Sequence, residues 1–362
     1  MKKNILIIDD SALMRRIISD IIEADERFHV IGAATDGLNG LIMLKENAGS
    51  VDAVLLDINM PRMNGIEFLK EIKKHKIKTA VVIVSAVTTR EAKETILALE
   101  LGAFDFITKP ESLDDLKSDA FSRRLLESLT MATESNLPEQ QRQAEESKKL
   151  ARRSESKLKP VIFPEKSDKL VAIACSTGGP KALHSIIPRI PHNLNAGIII
   201  VQHMPEGFTK SLAERLNGIS NIPVKEADDG DVVRKGWAYI AKGGMQLRVV
   251  KDRQGNHVIK LSKEVPRRGL IPCADIMYES LTETDYDEII CVVLTGMGSD
   301  GSAGILQLGK KKKIYVIAQD SKTSVVYGMP KMVKQTGLVD EEVSLNDIAD
   351  VIIKNVGVST WT

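Results

Sequence analysis

Only three cysteines occur in 362 residues, Cys175, Cys273 and Cys291. So sparse and odd a set, without CxxC spacing, excludes a disulfide framework and a zinc site and points to a reducing, cytoplasmic setting. Aromatic residues are 4% of the chain, so its cores are built from Ile, Val, Leu and Ala. An excess of either charge is lacking too, since 50 Lys and Arg against 49 Asp and Glu leave +1. No global field favours nucleic acid or an acidic membrane surface. Apolar runs such as 80–87 fall far short of the ~18–20 residues that a membrane span needs. The opening MKKNILIIDD ends its apolar run at Asp9 and Asp10, too early for a signal peptide. What remains is a globular composition, 43% hydrophobic and 27% charged, long enough for two or three domains.

Residues 1–125 alternate between strand-like and helix-like segments. Apolar runs at 5–8, 30–34, 51–56, 80–84 and 104–107 are separated by amphipathic stretches such as 12–24, 65–74 and 89–101. Strands too apolar to face water on either side predict a five-stranded, doubly wound parallel sheet. Between 139 and 159, 11 of 21 residues are charged and none is aromatic. Such a segment buries too little to offset its ordering entropy, so 126–167 reads as a charged linker, either a coil or a solvated helical arm, with part of it able to continue the preceding helix because Glu, Lys, Gln and Arg are good helix formers. A second α/β pattern occupies 168–358, with strand-like runs at 171–174, 197–201, 289–294 and 314–318. An antiparallel insertion is expected from 237–241, 247–250 and 258–261 around the turn Gln254-Gly255-Asn256. By region the charge is −2 (1–125), +1 (126–167) and +2 (168–362), so no part is basic enough for nucleic acid.

Ligands of parallel α/β sheets bind where the carboxyl ends of the strands open into loops. Asp9 and Asp10 end the first strand, Asp57 the third and Ser85 the fourth, and Lys109 follows the fifth. Three carboxylates at one edge repel unless a cation lies among them, and hard oxygen donors suit Mg²⁺. A lysine and a hydroxyl beside them can hold phosphoryl oxygens. An acidic pair after a strand is commonly only a turn or cap, but stability does not require five polar residues at matched strand ends.

The segments ILIIDDSALMR, LLDINMPRMNG, VIVSAV and FDFITKP resemble the receiver domain of bacterial response regulators. The resemblance implies a flavodoxin-like fold, Asp57 as phosphoacceptor, and Mg²⁺ among Asp9, Asp10, Asp57 and the Asn59 backbone carbonyl. It also implies Ser85 and Lys109 as phosphoryl contacts and Phe106 as the aromatic switch residue. Asn64 stands where that family often has Asp.

The same edge rule applied to the second half gathers a hydroxyl, an imidazole and a carboxylate. Ser176 follows the strand ending at Cys175, His203 follows 197–202, and Asp300 follows 289–294 through Thr295-Gly296-Met297-Gly298. These are the parts of an activated nucleophile, its base and the group that orients the base. Gly178 and Gly179 permit close backbone approach, and N–H groups at a helix start suit an oxyanion. Each member has a plainer alternative. Ser176 or Thr177 fits an N-cap, Asp300 fits a cap of the helix starting near Gly301, and His203 fits a strand-to-helix turn. His184 and His192 compete for the base role from a helix and from a turn opposite this edge. Cys175 is a poor rival nucleophile, being last in its strand and lacking an evident base.

No GxSxG elbow is present, and the chain order Ser…His…Asp differs from that of α/β-hydrolases. The runs IACSTGGPKAL, IIIVQHMPEGFTKSLAERLN, VVLTGMGSDGSAGIL and IAQDSKTSVVYGMP resemble the catalytic domain of the chemotaxis protein-glutamate methylesterases. That implies Ser176 as nucleophile, His203 as base and then acid, Asp300 as orienting carboxylate, and Thr177 and Met297 near the site, Met297 as an oxyanion donor. No cofactor is expected in this domain. Ahead of Asp275 the chain reads Pro266-Arg267-Arg268-Gly269-Leu270-Ile271-Pro272-Cys273, where the family commonly has an Asn-Arg-His-Arg-Pro-Ser type run. The implied activity is hydrolysis of glutamate methyl esters, with deamidation of particular glutamines, on cytoplasmic helices of chemoreceptors. A histidine kinase is the implied phosphodonor, and neither nucleic acid nor membrane insertion is expected. A DNA-binding output is opposed by the absence of a helix-turn-helix pattern, and a silent adaptor by the completeness of the triad.

Overall fold

A computed structural model describes residues 2–110, 119–134 and 168–359. The chain divides into two units, Met1–Glu139 and Gln140–Thr362.

In the first unit β1 (Lys3–Ile8), β2 (Phe28–Ala34), β3 (Ala53–Asp57), β4 (Ala80–Ser85) and β5 (Asp105–Thr108) form one parallel sheet ordered β2-β1-β3-β4-β5. Every residue of β3 and β4 is buried, as expected for strands covered on both faces. Local signals start the connecting helices. Ser11 caps Ala12–Glu23 by accepting from the Met14 N–H, and Asn64 forms a capping box with Glu67 at the head of Gly65–Lys74. An amide oxygen accepts there as a carboxylate would, so Asn64 in place of Asp keeps the helix start.

The last described helix of this unit, Asp119–Glu134, runs past the boundary expected at 125. Phe121, Leu125, Leu129 and Ala132 make one buried stripe at helical spacing, so the unit's core includes residues beyond that boundary. Much of the expected linker, 135–167, lies outside the described residues.

In the second unit β6 (Lys169–Cys175), β7 (Ala196–Gln202), β8 (Val224–Glu226), β9 (Ala238–Ile240), β12 (Glu288–Val293), β13 (Ile314–Gln319) and β14 (Glu341–Val343) form a parallel sheet. Its order is β14-β13-β12-β6-β7-β9-β8. Strands β10 (Gln246–Lys251) and β11 (His257–Ser262) pair as the expected antiparallel hairpin, with Val249 opposite Ile259. Residues 237–241 do not join that hairpin, which corrects the expectation for them. Strand β9 pairs parallel with β7, Ile198 opposite Ala238, and is fully buried in the main sheet. A three-residue strand carries no period of its own, and β8 and β14 escaped the sequence pattern for the same reason.

Both sheets reverse their winding beside their first strand. Strand β1 lies between β2 and β3, and β6 between β7 and β12. Outside the carboxyl ends of such strands is the crevice where open α/β sheets bind ligands. Among the described residues no helix is long and apolar enough to cross a membrane.

Candidate active site and acidic pocket

In the first unit the reversal brings the ends of β1 and β3 together. Asp9 and Asp57 are buried and Asp10 is exposed, and ligand atoms of the three lie within 4.8 Å of one another. Lys109, just past β5, places Nζ 2.9 Å from Asp9 Oδ2 and 3.0 Å from Asp57 Oδ2. Burial pushes the Asp57 carboxyl up to about 6, with Lys109 opposing and the Asp9 charge adding. Burial also disfavours the Lys109 ammonium, but Asp57 and Asp9 outweigh it and raise its pKa. One lysine among three carboxylates leaves a deficit of positive charge. The all-oxygen donor set suits a hard divalent cation such as Mg²⁺.

Ser85 ends β4 and is fully buried, but its hydroxyl is turned to other partners. It donates toward Glu91 Oε2 and the Ala86 carbonyl, each at 3.3 Å, and accepts from Thr95 Oγ1 at 2.9 Å. Glu91 and Thr95 lie on the next helix, and nothing in the sequence tied them to this serine. Phe106 is buried within β5, and Asn59 is exposed in the loop after β3.

In the second unit the register pairs Cys175 with Gln202, so Ser176 and His203 leave adjacent strands side by side. The His203 N–H donates to the Cys175 carbonyl at 3.1 Å, and the Ser176 N–H to the Thr295 carbonyl at 3.1 Å. His203 Nε2 lies 2.7 Å from Asp300 Oδ2, with both side chains largely buried. Burial opposes ionisation of Asp300. The bond and charge of His203, with the N–H groups of Asp275 and Ala274, outweigh it and hold the carboxyl well below the usual range. Ser176 Oγ makes no hydrogen bond to His203 in this arrangement. Such contacts commonly tighten only with substrate in place.

Local structure bears on the capping alternatives. The helix Gly179–Ile186 is capped by Gly178 with no side-chain bond, so neither Ser176 nor Thr177 serves as its cap. Gly178 takes φ +78°, the left-handed conformation that glycine adopts without strain. The helix Ser302–Gly309 starts at Gly301, again without a side-chain cap. The strand-end loop on the far side of Ser176 approaches so closely that a Cβ on Gly296 would lie 2.8 Å from Ser176 Cβ. Thr177 is buried, and its carbonyl accepts from Thr295 Oγ1 at 3.0 Å, while Met297 is 45% exposed.

Cys175 is fully buried, its thiol donates to Gln202 Oε1 at 3.0 Å, and burial raises its pKa far above the range of a reactive thiol. Gln202 Nε2 donates to the Ser176 carbonyl at 3.0 Å and so fixes the serine turn. His184 sits inside the helix Gly179–Ile186, and His192 in the turn before β7. Gln202, Cys273 and Asp275 are site neighbours that the sequence did not reveal.

The fold and the two sites together define the class, a response regulator with a hydrolytic α/β output unit. Residues 5–120 match the response regulator receiver domain family, and residues 171–352 the CheB methylesterase family. The protein-glutamate methylesterase/protein-glutamine glutaminase of Pyrococcus abyssi is 41% identical across 98% of this chain and 94% of its own. The Bacillus subtilis protein of the same name is 39% identical across 95% and 96%. The crystal structure of the Thermotoga maritima CheB methylesterase catalytic domain matches with a TM-score of 0.50 and 41% identity, covering 52% of this chain and 100% of that one. The chain belongs to the CheB family of protein-glutamate methylesterases, with an N-terminal receiver domain.

Proposed function

We propose that the chain hydrolyses glutamate methyl esters on the cytoplasmic helices of chemoreceptors, releasing methanol, and that phosphorylation of Asp57 activates it. The observation that carries the hydrolytic reading is the 2.7 Å contact of His203 Nε2 with Asp300 Oδ2, on the strand end next to the one that Ser176 follows. Ser176 Oγ attacks the ester carbonyl and His203 takes its proton at Nδ1, because Nε2 faces Asp300. The Met297 backbone N–H, with Thr177 close by, faces the developing oxyanion. The tetrahedral adduct then collapses, the bond to the methoxy oxygen breaks, and His203 returns the proton to the leaving methanol. Water, losing a proton to the same histidine, attacks the acyl-serine; the bond to Oγ breaks, His203 returns that proton to Oγ, and glutamate and Ser176 are freed. A glutamine amide follows the same route with ammonia as leaving group, which is deamidation.

In the receiver, residues 1–125 in this reading, a histidine kinase supplies the phosphoryl group to Asp57. Asp9, Asp10, Asp57 and the Asn59 carbonyl would hold Mg²⁺, which supplies positive charge for the phosphoryl oxygens. Lys109 and Ser85 contact those oxygens, Ser85 after leaving Glu91, and Phe106 transmits the change. The catalytic domain, 168–358, uses no cofactor in this reading, and the whole acts in the cytoplasm. Methanol release from methylated receptor fragments, measured with and without a small phosphodonor, tests both parts. No release removes the esterase, and equal release in the two conditions removes the switch.

A further inference from the structure

Asp300 is held by more than its histidine. Oδ2 also accepts the Ala274 N–H at 2.6 Å, and Oδ1 accepts the N–H groups of Asp275 at 2.9 Å and Gly301 at 3.1 Å, with the Cys273 thiol at 3.1 Å. Ala274 and Asp275 open the helix Ala274–Ser280, whose own cap residue, Cys273, makes no side-chain bond to it. Asp300 therefore supplies the acceptor that this helix start lacks.

The converse also holds. The helix Ser302–Gly309 starts two residues after Asp300, with Gly301 as its N-cap and no side-chain cap. Asp275 Oδ1 accepts from Gly301 N at 2.9 Å and from Gly304 N at 2.7 Å. Each carboxylate thus closes the helix start next to the other. Cys273, Asp275 and Asp300 have ligand-type atoms within 4.8 Å of one another, but backbone and thiol donors already point at three of the four carboxylate oxygens. The fourth, Asp275 Oδ2, has the Arg268 guanidinium at 3.9 Å. The group is a hydrogen-bonded cluster in which acceptors meet donors, not a set of donors open to a cation.

Two buried carboxylates so close repel each other, and an apolar pair would cost less to bury. The Asp275 carboxyl is raised by burial, with the Asp300 charge adding to it and the Gly304 and Gly301 N–H groups opposing. An arrangement that opposes itself in charge yet satisfies backbone groups at both helix starts is suited to fixing a position. We propose that Asp275 is a positioning residue for ester hydrolysis, holding the Gly301 and Gly304 N–H groups so that the loop carrying Asp300 keeps Oδ2 on His203 Nε2. This rests on the reading of Ser176, His203 and Asp300 as the reacting set. Asp275 touches neither substrate nor the reacting atoms in this reading, and it acts only through Asp300.

The test uses the full-length chain with phosphodonor present, and reads kcat and KM for methanol release across pH. Asp275→Ala removes both acceptor contacts and lowers kcat tenfold or more while KM moves less than threefold, because misplacing a reacting group by about 1 Å costs on the order of 100-fold. Asp275→Asn keeps an oxygen for the same two N–H groups, and its plateau kcat stays within about threefold of wild type. A smaller kcat loss in Asp275→Ala, or a loss carried by KM, overturns the proposal. If Asp275→Ala does not fold by circular dichroism, the plateau kcat of Asp275→Asn decides alone, and a loss beyond threefold overturns it. Ser176→Ala, run alongside, separates the two levels. Retained turnover there removes the reading of the reacting set itself, whereas an inactive Ser176→Ala with an unaffected Asp275→Ala removes only the positioning role.

Discussion

His203 turns Nε2, not Nδ1, toward Asp300, at 2.7 Å from Oδ2. A carboxylate accepting there keeps the neutral ring's proton on Nε2 and leaves the Nδ1 lone pair to receive the serine proton. The same carboxylate takes backbone N–H groups from residues 274, 275 and 301, so the orientation of the base is tied to loops far apart in the chain.

Asp300 makes stability depend on pH with a definite sign. Its native pKa lies below the roughly 3.9 of an unfolded aspartate, so between those values the unfolded state binds more protons. The stabilisation is complete above that unfolded value and is lost as pH falls through the native one. Urea midpoints of wild type and Asp300→Asn should therefore diverge least near pH 2 and most above pH 5. Parallel curves would mean that the carboxylate is not held as the geometry indicates.

Ser176→Ala should reduce methanol release by roughly 10⁴-fold or more, as removal of a nucleophile from a cooperating set does. Its thermal unfolding should match wild type, because the lost hydroxyl makes no hydrogen bond among the described residues. The decisive measurement is turnover alongside the melting curve, and near-normal turnover would give the nucleophile's role to another residue.

Gly296→Ala places a Cβ 2.4 Å from Met329 Sδ and 2.8 Å from Ser176 Cβ. Either the loop or the serine must move, at a stability cost of about 1–3 kcal/mol. We expect kcat to fall on the order of 100-fold with no group of the reacting set removed. A variant that retains wild-type kcat would show that this loop does not define the position of the serine.

Asp57→Asn should abolish stimulation by a phosphodonor and leave unstimulated methanol release unchanged. Chelating divalent cations with EDTA should have the same effect on wild type, since Asp9, Asp10 and Asp57 hold the cation in the proposed reading. Both are read from methanol release with and without phosphodonor, and stimulation that survives either treatment contradicts the pocket assignment.

The two parallel sheets and their strand-end residues were legible in the linear chain, because buried parallel strands are continuous apolar runs and their polar ends stand out against them. Asp9, Asp57, Ser176 and His203 are all visible in that way. Strand β9 was assigned to the wrong sheet, because it is too short to show a period. Continuation of the helix past residue 125 was legible in its helix-forming residues, while the buried stripe that holds it to the core was not. The run ending at Cys273 ahead of Asp275 stood out in the sequence, but the roles of Asp275, Cys273 and Gln202 did not, because they lie in the groups these residues meet across 26 to 29 residues of chain. Apolar periodicity is a local property and is written in the chain itself. The direction in which Ser85 turns its hydroxyl, the ring nitrogen that His203 gives to Asp300, and the mutual capping of two helix starts depend on hydrogen bonds closed only by packing. The partners of Ser85 lie within ten residues and still need the strand-to-helix turn to meet it, while those of His203 and Asp275 lie 26 to 97 residues away, so only the folded chain sets these bonds.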